Sequence, residues 1–196
     1  RARACASAGR VVGVCLPCAE WVDYAPMATP ILVGRPAVIE SRIANAGLRR
    51  RLGKDVECVN PEDDSRFRQY WETYHRLLGR DGVSPEAAKA AVRRSTTTIA
   101  ALMVKLGDAD AMLCGLHGRF DVHLDHVRDV VGLKNGAPGF ATLNAVMLAT
   151  GTLFIPDTFV NEDPTAGQRA HNAPEATPDA GRIGRPTDGA CMRSTH

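Results

Sequence analysis

The stretch Ile31-Leu32-Val33-Gly34-Arg35-Pro36, running on into Ala37–Leu48, decides the fold. Three consecutive large apolar residues stopped by Gly34 read as a short buried strand. Pro36 then stands where a first helical turn tolerates it, and Val38, Ile39, Ile43 and Leu48 suit one face of a following helix. A strand feeding a helix is the repeating unit of a parallel sheet.

The alternation continues downstream. Val56-Glu57-Cys58-Val59 reads as a second strand, ended by the turn-rich Asn60-Pro61-Glu62-Asp63-Asp64. Phe67, Tyr70, Trp71, Tyr74, Leu77 and Leu78 recur at three- and four-residue spacing, which predicts a long amphipathic helix with its aromatics in the core. Ser84-Pro85-Glu86 is a helix start, with a hydroxyl cap, Pro at the first position and an acid at the positive dipole end. After Ser95-Thr96-Thr97-Thr98, the residues Ile99, Leu102, Met103 and Leu106 form another apolar stripe, closed by Gly107. Ala111-Met112-Leu113-Cys114 reads as a third strand. Phe120–Val131 reads as a helix with Phe120, Leu124, Val127 and Val131 inward, Phe140–Leu148 as another helix, and Thr152-Leu153-Phe154-Ile155 as a further strand. Residues 1–28 lack a sustained period of either kind.

These elements predict an α/β fold, a mainly parallel sheet covered on both faces. Ligands collect at the carboxyl ends of the strands in such sheets. Four loops are thereby singled out: Gly34–Pro36, Asn60–Asp64, Gly115–Arg119 and Asp157–Asp163.

The chain has 196 residues, 44% hydrophobic and 23% charged, enough for one ordinary core. Its formal net charge is +2 and neither sign dominates a long block, so a nucleic-acid or anionic-membrane partner is not indicated. No apolar run approaches the roughly 20 residues that span a bilayer. Six Cys, three of them in the first eighteen residues, are too irregular for a disulfide scaffold. With no secretory signal segment visible, the expected compartment is the reducing cytoplasm. Residues 169–196 hold only Ile183 and Met192 as large apolar side chains, which predicts a disordered tail.

Few motifs carry chemistry. Cys15-Leu16-Pro17-Cys18 has redox or half-zinc spacing but lacks a strand-to-helix setting or further ligands. His123 and His126, flanked by Asp121, Asp125 and Asp129, are ligand types for a divalent ion. A solvated helix face with an Asp125–Arg128 pair is the favoured reading, and no metal is assigned. Their place is at the edge of the buried stripe, toward solvent or a cleft. In Gly115-Leu116-His117-Gly118-Arg119, the glycines let backbone amides approach an anion while Arg119 adds charge; a plain tight turn is the other reading. Asp157, Asn161 and Asp163 follow the last strand, where capping before Pro164 suffices to explain Asp163.

Six blocks then become specific in their order and spacing. They are ILVGRP at 31–36, NPEDD at 60–64, YWETYHRL at 70–77, GDADAMLCG at 107–115, HVRDVVGL at 126–133 and LFIPDTFVNEDPTAGQ at 153–168. Together they resemble the phosphotransacetylase-type (phosphate acetyl/butyryl transferase) domain that forms the carboxyl-terminal half of bacterial NADP-dependent malic enzymes. The resemblance covers about residues 28–168, and GDADAMLCG and VNEDPT are its most specific parts. It implies a three-layer α/β/α arrangement, incomplete here, with acetyl-CoA bound between two subdomains and the crossover to the second starting near 157. The domain expected is thus 29–168. Residues 1–28 and the tail 169–196 do not continue the pattern, which reads as shifted reading frames or a degraded copy, with the first strand of the sheet absent or replaced.

The match also departs from the transferases. Counting back from Gly82, Leu78 stands where their R-x-x-K-G pattern has arginine, and Asp81 where it has lysine. Asp125 falls on the arginine of the helix after their S-G turn. Their Ser- and Gly-rich block is expected beyond Gln168, where this chain does not carry it. The resemblance therefore implies a fragment of the acetyl-CoA-sensing, oligomerising domain of an NADP-dependent malic enzyme, catalytically silent alone. Malate oxidation to pyruvate, with NADP and a divalent metal, belongs to the full-length parent. No catalytic residue and no cofactor is assigned to this chain; the expected partners are an acyl-CoA or phosphate ligand and further copies of the chain. Gly115, Gly118 and Arg119 lead the ligand candidates, with His123, His126, Asp157, Asn161 and Asp163 chosen by position. The alternative is a free-standing phosphate acyltransferase moving acetyl between CoA and phosphate.

Overall fold

The structure, a computed structural model, describes residues 9–13, 28–114, 118–133, 135–137, 139–148, 151–156, 160–161 and 165. The chain divides into a larger unit, Arg3–Gly132, and a smaller one that begins at Leu133. The expected tail at 169–196 and the Cys15–Cys18 pair lie outside the described residues.

The larger unit is built on a four-stranded sheet. Strands β1 (Gly9–Gly13), β2 (Ala28–Val33), β3 (Glu57–Val59) and β4 (Ala111–Leu113) run in spatial order β3-β2-β1-β4, all parallel. Val12 lies opposite Ile31, and Ile31 opposite Glu57. Side chains of a strand alternate between faces, and β2 follows the rule. Ile31 and Val33 join a large cluster with Val12, Val59, Tyr70, Leu102 and Met103, whereas Leu32 joins a smaller one with Ile39, Ile43 and Val56. Helix α1 (Pro36–Asn45) supplies Ile39 and Ile43 to the small cluster. The large cluster takes buried residues from α2 (Phe67–Leu78), α3 (Pro85–Arg94), α4 (Thr96–Leu106) and α5 (Phe120–Val130). Helices thus cover both faces, as the sequence predicts.

Helix ends follow local chemistry. Ser84 Oγ accepts from the Ala87 amide at 3.2 Å, and Pro85 opens α3. Ser95 ends α3 and caps α4 through Oγ to the Thr98 amide at 3.1 Å. Gly107 closes α4 at φ +82, a conformation that costs other residues free energy. Between those caps Thr97–Met103 is continuously buried, so α4 is the central helix of the large cluster.

A chain of charges ties the strand ends to the helices. Arg10 on β1 pairs with Glu57 on β3, and Glu57 also meets Arg66 at 3.4 Å. Arg66, just before α2, bonds Asp64 through Nε and Nη2, each at 3.0 Å. Tyr70 on α2 donates to Asp108 Oδ2 at 3.2 Å, and Asp110 accepts from the Arg10 amide at 2.6 Å. Burial opposes the charge on Asp64, yet hydrogen bonds from the Arg66 side chain and amide hold its carboxyl below the ordinary range. Burial pushes the Tyr70 hydroxyl upward, so it stays a neutral donor.

Two expectations are corrected. Gly9–Gly13 is an inner strand between β2 and β4, although residues 1–28 show no period. Its two valines, flanked by Gly9, Arg10 and Gly13, are too few to register a pattern, and pairing on both sides supplies what propensity does not. Phe140–Leu148 is not a helix: Leu143–Leu148 is strand β5, paired antiparallel with β6 (Gly151–Pro156) in the smaller unit. Leu143, Ala145 and Met147 alternate with Asn144, Val146 and Leu148, and a two-residue connection to Gly151 favours a hairpin over a helix face. The strand read at Thr152–Ile155 therefore lies outside the parallel sheet. Among the described residues no helix is long and apolar enough to cross a membrane.

Two measurements check this account. Leu102→Ala, in the middle of α4, will cost about 2–5 kcal/mol in denaturant unfolding, whereas Val38→Ala on the exposed side of α1 will stay within about 0.5 kcal/mol. Asp64 has a depressed folded-state pKa, so its contribution is complete above the unfolded value of about 3.9 and vanishes as pH falls through the folded value. Asp64→Asn will therefore lower stability at pH 7 and flatten its decline below about pH 4.

Candidate functional site

The carboxyl-terminal ends of the parallel strands carry three of the four predicted loops. After β2, the Gly34 amide donates to Val59 O at 2.9 Å, which locks the end of β2 to the end of β3. Arg35 and Glu62 approach to 4.0 Å across the first two loops, both largely exposed, so this ion pair adds little stability. Asn60 Oδ1 accepts from the Glu62 amide at 3.2 Å and folds the second loop onto itself. Cys58 beside it has its thiol pushed up by burial and then by Glu40 and Asp64, and donates to Gly34 O at 3.6 Å.

The third loop leads from β4 into α5. Gly115 and His117 lie outside the described residues. Gly118 has φ +95, so it fits the special backbone that the sequence suggested, and a Cβ there would stand 3.4 Å from His123 Nε2. Arg119 occupies the cap position of α5 in an extended conformation. Its side chain is 81% exposed, but the guanidinium is not idle. Nε bonds Asp121 Oδ1 at 3.0 Å and Nη2 bonds Oδ2, a two-pronged pair on the first turn of the helix. That hydrogen bonding, foremost from Arg119, holds the Asp121 carboxyl below its ordinary range. An incoming anion must compete with Asp121.

The histidines are half-buried, at the edge of the helix face as expected, and each meets α4. His123 Nδ1 and Thr97 Oγ1 share a hydrogen bond of 3.0 Å, and His126 Nδ1 and Thr98 Oγ1 one of 3.3 Å. Both threonines are buried on α4, so the pair forms a polar seam between α4 and α5. Asp125 pairs with Arg128 at 2.7 Å, as the alternative to metal binding expected. The helix phase also differs from the sequence reading. Val130 is the buried residue, while Phe120 is 49% exposed and Val122 48% exposed. Residues 123, 126 and 130 lie on the side of α5 toward α4, while Phe120 and Val122 are exposed in its first turn. Leu113 at the end of β4 is exposed as well.

Asn161 belongs to the smaller unit, where Nδ2 donates to Phe140 O at 2.9 Å. Asp157 and Asp163 lie outside the described residues. Because β6 pairs only within its hairpin among the described residues, these three positions do not follow a strand of the parallel sheet.

Sequence reasoning missed the Thr97 and Thr98 partners and the Arg10–Glu57–Arg66 chain. The signal for the first was present: two threonines beside the Ser95 cap, on a helix otherwise apolar, must find partners when buried.

Comparison with known proteins agrees with this architecture. Residues 15–194 match the family described as phosphate acetyl/butaryl transferase. An NADP-dependent malic enzyme of Haemophilus influenzae is 43% identical over 158 residues, 81% of this chain and 21% of that protein. The NADP-dependent malic enzyme of Salmonella typhimurium is 44% identical over 158 residues with the same coverage. A phosphate acetyltransferase of Nitratidesulfovibrio vulgaris is 29% identical over 147 residues, 75% of this chain and 20% of that protein. The chain thus spans about a fifth of the length of these relatives. Among solved structures, the EutD phosphotransacetylase from Staphylococcus aureus superposes with a TM-score of 0.76 at 15% identity, covering 90% of this chain and 54% of that one. At that identity the likeness speaks for the fold. With its parallel sheet clad on both faces and a family match over nearly its whole length, the chain belongs to the phosphate acetyl/butaryl transferase family.

Proposed function

We propose that this chain is the phosphotransacetylase-like, acetyl-CoA-sensing and oligomerising region of a cytoplasmic malic enzyme, without acyl transfer activity of its own. The observation that carries the silent part is Leu78, which packs against the large core cluster where the transferase pattern has an anion-holding arginine. A guanidinium at that position would need a charged partner or water, and the site offers a hydrophobic neighbourhood instead. Two further positions agree. Asp81 is exposed where the pattern has lysine, and Asp125 is already paired with Arg128 where it has arginine.

Binding is a separate matter from catalysis. Gly118 and Arg119 at the start of α5 suit an anionic group of an acyl-CoA or phosphate ligand, with the exposed Phe120 and Val122 beside them for an apolar part. Arg119 would exchange Asp121 for the ligand. Malate oxidation, NADP and the divalent metal are assigned to the parent protein outside these residues.

A coupled assay for CoA- and phosphate-dependent acetyl phosphate formation will show no turnover; measurable turnover would establish the free-standing acyltransferase instead. Acetyl-CoA at about a hundred times its dissociation constant will stabilise the chain by ~2.7 kcal/mol in thermal unfolding, and no shift at millimolar acetyl-CoA would remove the sensing role. Arg119→Ala will weaken acetyl-CoA by on the order of tenfold, the loss of one charge-assisted contact. Asp121→Asn, which removes the competitor, will tighten it.

A further inference from the structure

The chain-wide charge balance conceals one local excess. Residues 42–54 contain Arg42, Arg49, Arg50, Arg51 and Lys54 and no acid. Arg10, Arg66, Arg68, Arg119 and Arg128 each hold a carboxylate, but none of the five has one among the described residues. Four of them are exposed and Arg50 is half-buried.

The loop that presents them is well fixed. Leu48 and Leu52 pack on the small core cluster, and Leu52 bridges Val56. Asp55 Oδ2 accepts from the Arg51 amide at 3.0 Å, the Asp55 amide donates to Arg51 O at 2.9 Å, and Gly53 turns the chain at φ +76. Like charges held this close on an ordered backbone repel one another, and a polyvalent anion relieves the repulsion without first having to order the loop. Guanidinium forks match phosphate oxygens.

A groove of about 470 Å³ adjoins the loop, walled by Thr29, Gly53, Lys54, Asp55 and Glu57. That size suits a small molecule. Glu57 is already neutralised by Arg10 and Arg66, so the groove keeps the Lys54 ammonium, the Thr29 hydroxyl and the Asp55 carboxylate as its polar groups. Four of the five cations lie on one loop, with Asp55 and Glu57 next to them in the sequence, which does not make the extended stripe that a nucleic-acid duplex requires.

We infer that the loop from Leu48 to Val56 and its groove form a binding site for a small oligophosphate of the nucleoside triphosphate kind. Its phosphates lie on Arg49, Arg50, Arg51 and Lys54, and its hydroxyl-bearing part lies in the groove against Asp55. The site is at the amino-terminal ends of β2 and β3, the opposite end of the sheet from the loop before α5, and it does not rest on the acyl-CoA reading.

Titration calorimetry of the full chain with ATP and with inorganic tripolyphosphate, at about 0.15 M salt, tests it. Both will bind, ATP more tightly. The double variant Arg50→Glu, Arg51→Glu will lose at least about tenfold in affinity with an unchanged circular dichroism spectrum, and Arg80→Glu, an exposed cation elsewhere, will lose none. Lys54→Ala, a milder change that spares the loop's core contacts, will weaken ATP as well and gives the answer if the double variant misfolds. Absence of binding at millimolar ATP overturns the proposal. So does binding that survives both variants, or a 20-base-pair DNA duplex binding as tightly as ATP, which would mark a general polyanion surface.

Discussion

Strand β2 is buried on both faces, and the rest of the larger unit is arranged to keep it so. Pro30, Ile31, Leu32 and Val33 have almost no contact with solvent. A strand in that position needs neighbours on two edges and cover on two faces. β1 and β3 supply the edges; α1 supplies one face through Ile39 and Ile43, and α4 the other through Leu102 and Met103. Four short parallel strands would be weak by themselves, because parallel pairing contributes slightly less per residue than antiparallel pairing. Two-sided burial of one apolar run compensates for that weakness.

The same geometry shows what the carboxylates in two of the family-like sequence blocks do. Asp64, the last residue of NPEDD, orients Arg66, and Arg66 reaches Glu57 on β3. Asp108 and Asp110 of GDADAMLCG accept from Tyr70 and from the Arg10 amide. Removing one of these carboxylates leaves its donor with one acceptor fewer, and the donors on Arg66 and Tyr70 are partly buried. Their chemistry is spent on alignment. Such a block identifies a fold reliably and says little about a reaction.

How much the sequence revealed depended on how local each decision was. Ser84, Ser95 and Gly107 mark helix ends by contacts within three or four residues, and all three were legible. The run at Ile31–Val33 announces burial through its own composition. β1 does not, since only Val11 and Val12 are apolar and its place is set by partners at Ile31 and Met112, far along the chain. The segment at Leu143–Leu148 satisfies both periods, and its antiparallel partner decided the outcome. The candidate site was readable as a loop with Gly118 and Arg119, while the Arg119–Asp121 pair and the histidine–threonine seam depended on which way α5 was rotated.

That rotation links the seam to the loop it supports. His123 and His126 sit on the side of α5 toward α4, where Thr97 and Thr98, held in the core of α4, require hydrogen-bond partners. The requirement fixes the angular position of α5, at whose first turn Phe120 and Val122 are exposed and Arg119 pairs with Asp121. Gly118 is tied into the same arrangement, since its left-handed backbone lies under His123 Nε2. The first turn of α5 is thus positioned by two polar contacts a helix away, not by its own sequence. Arg119 is held in the same way at the start of the helix, by Asp121 in its first turn, so the polar groups of this turn are already partnered within α5 and α4.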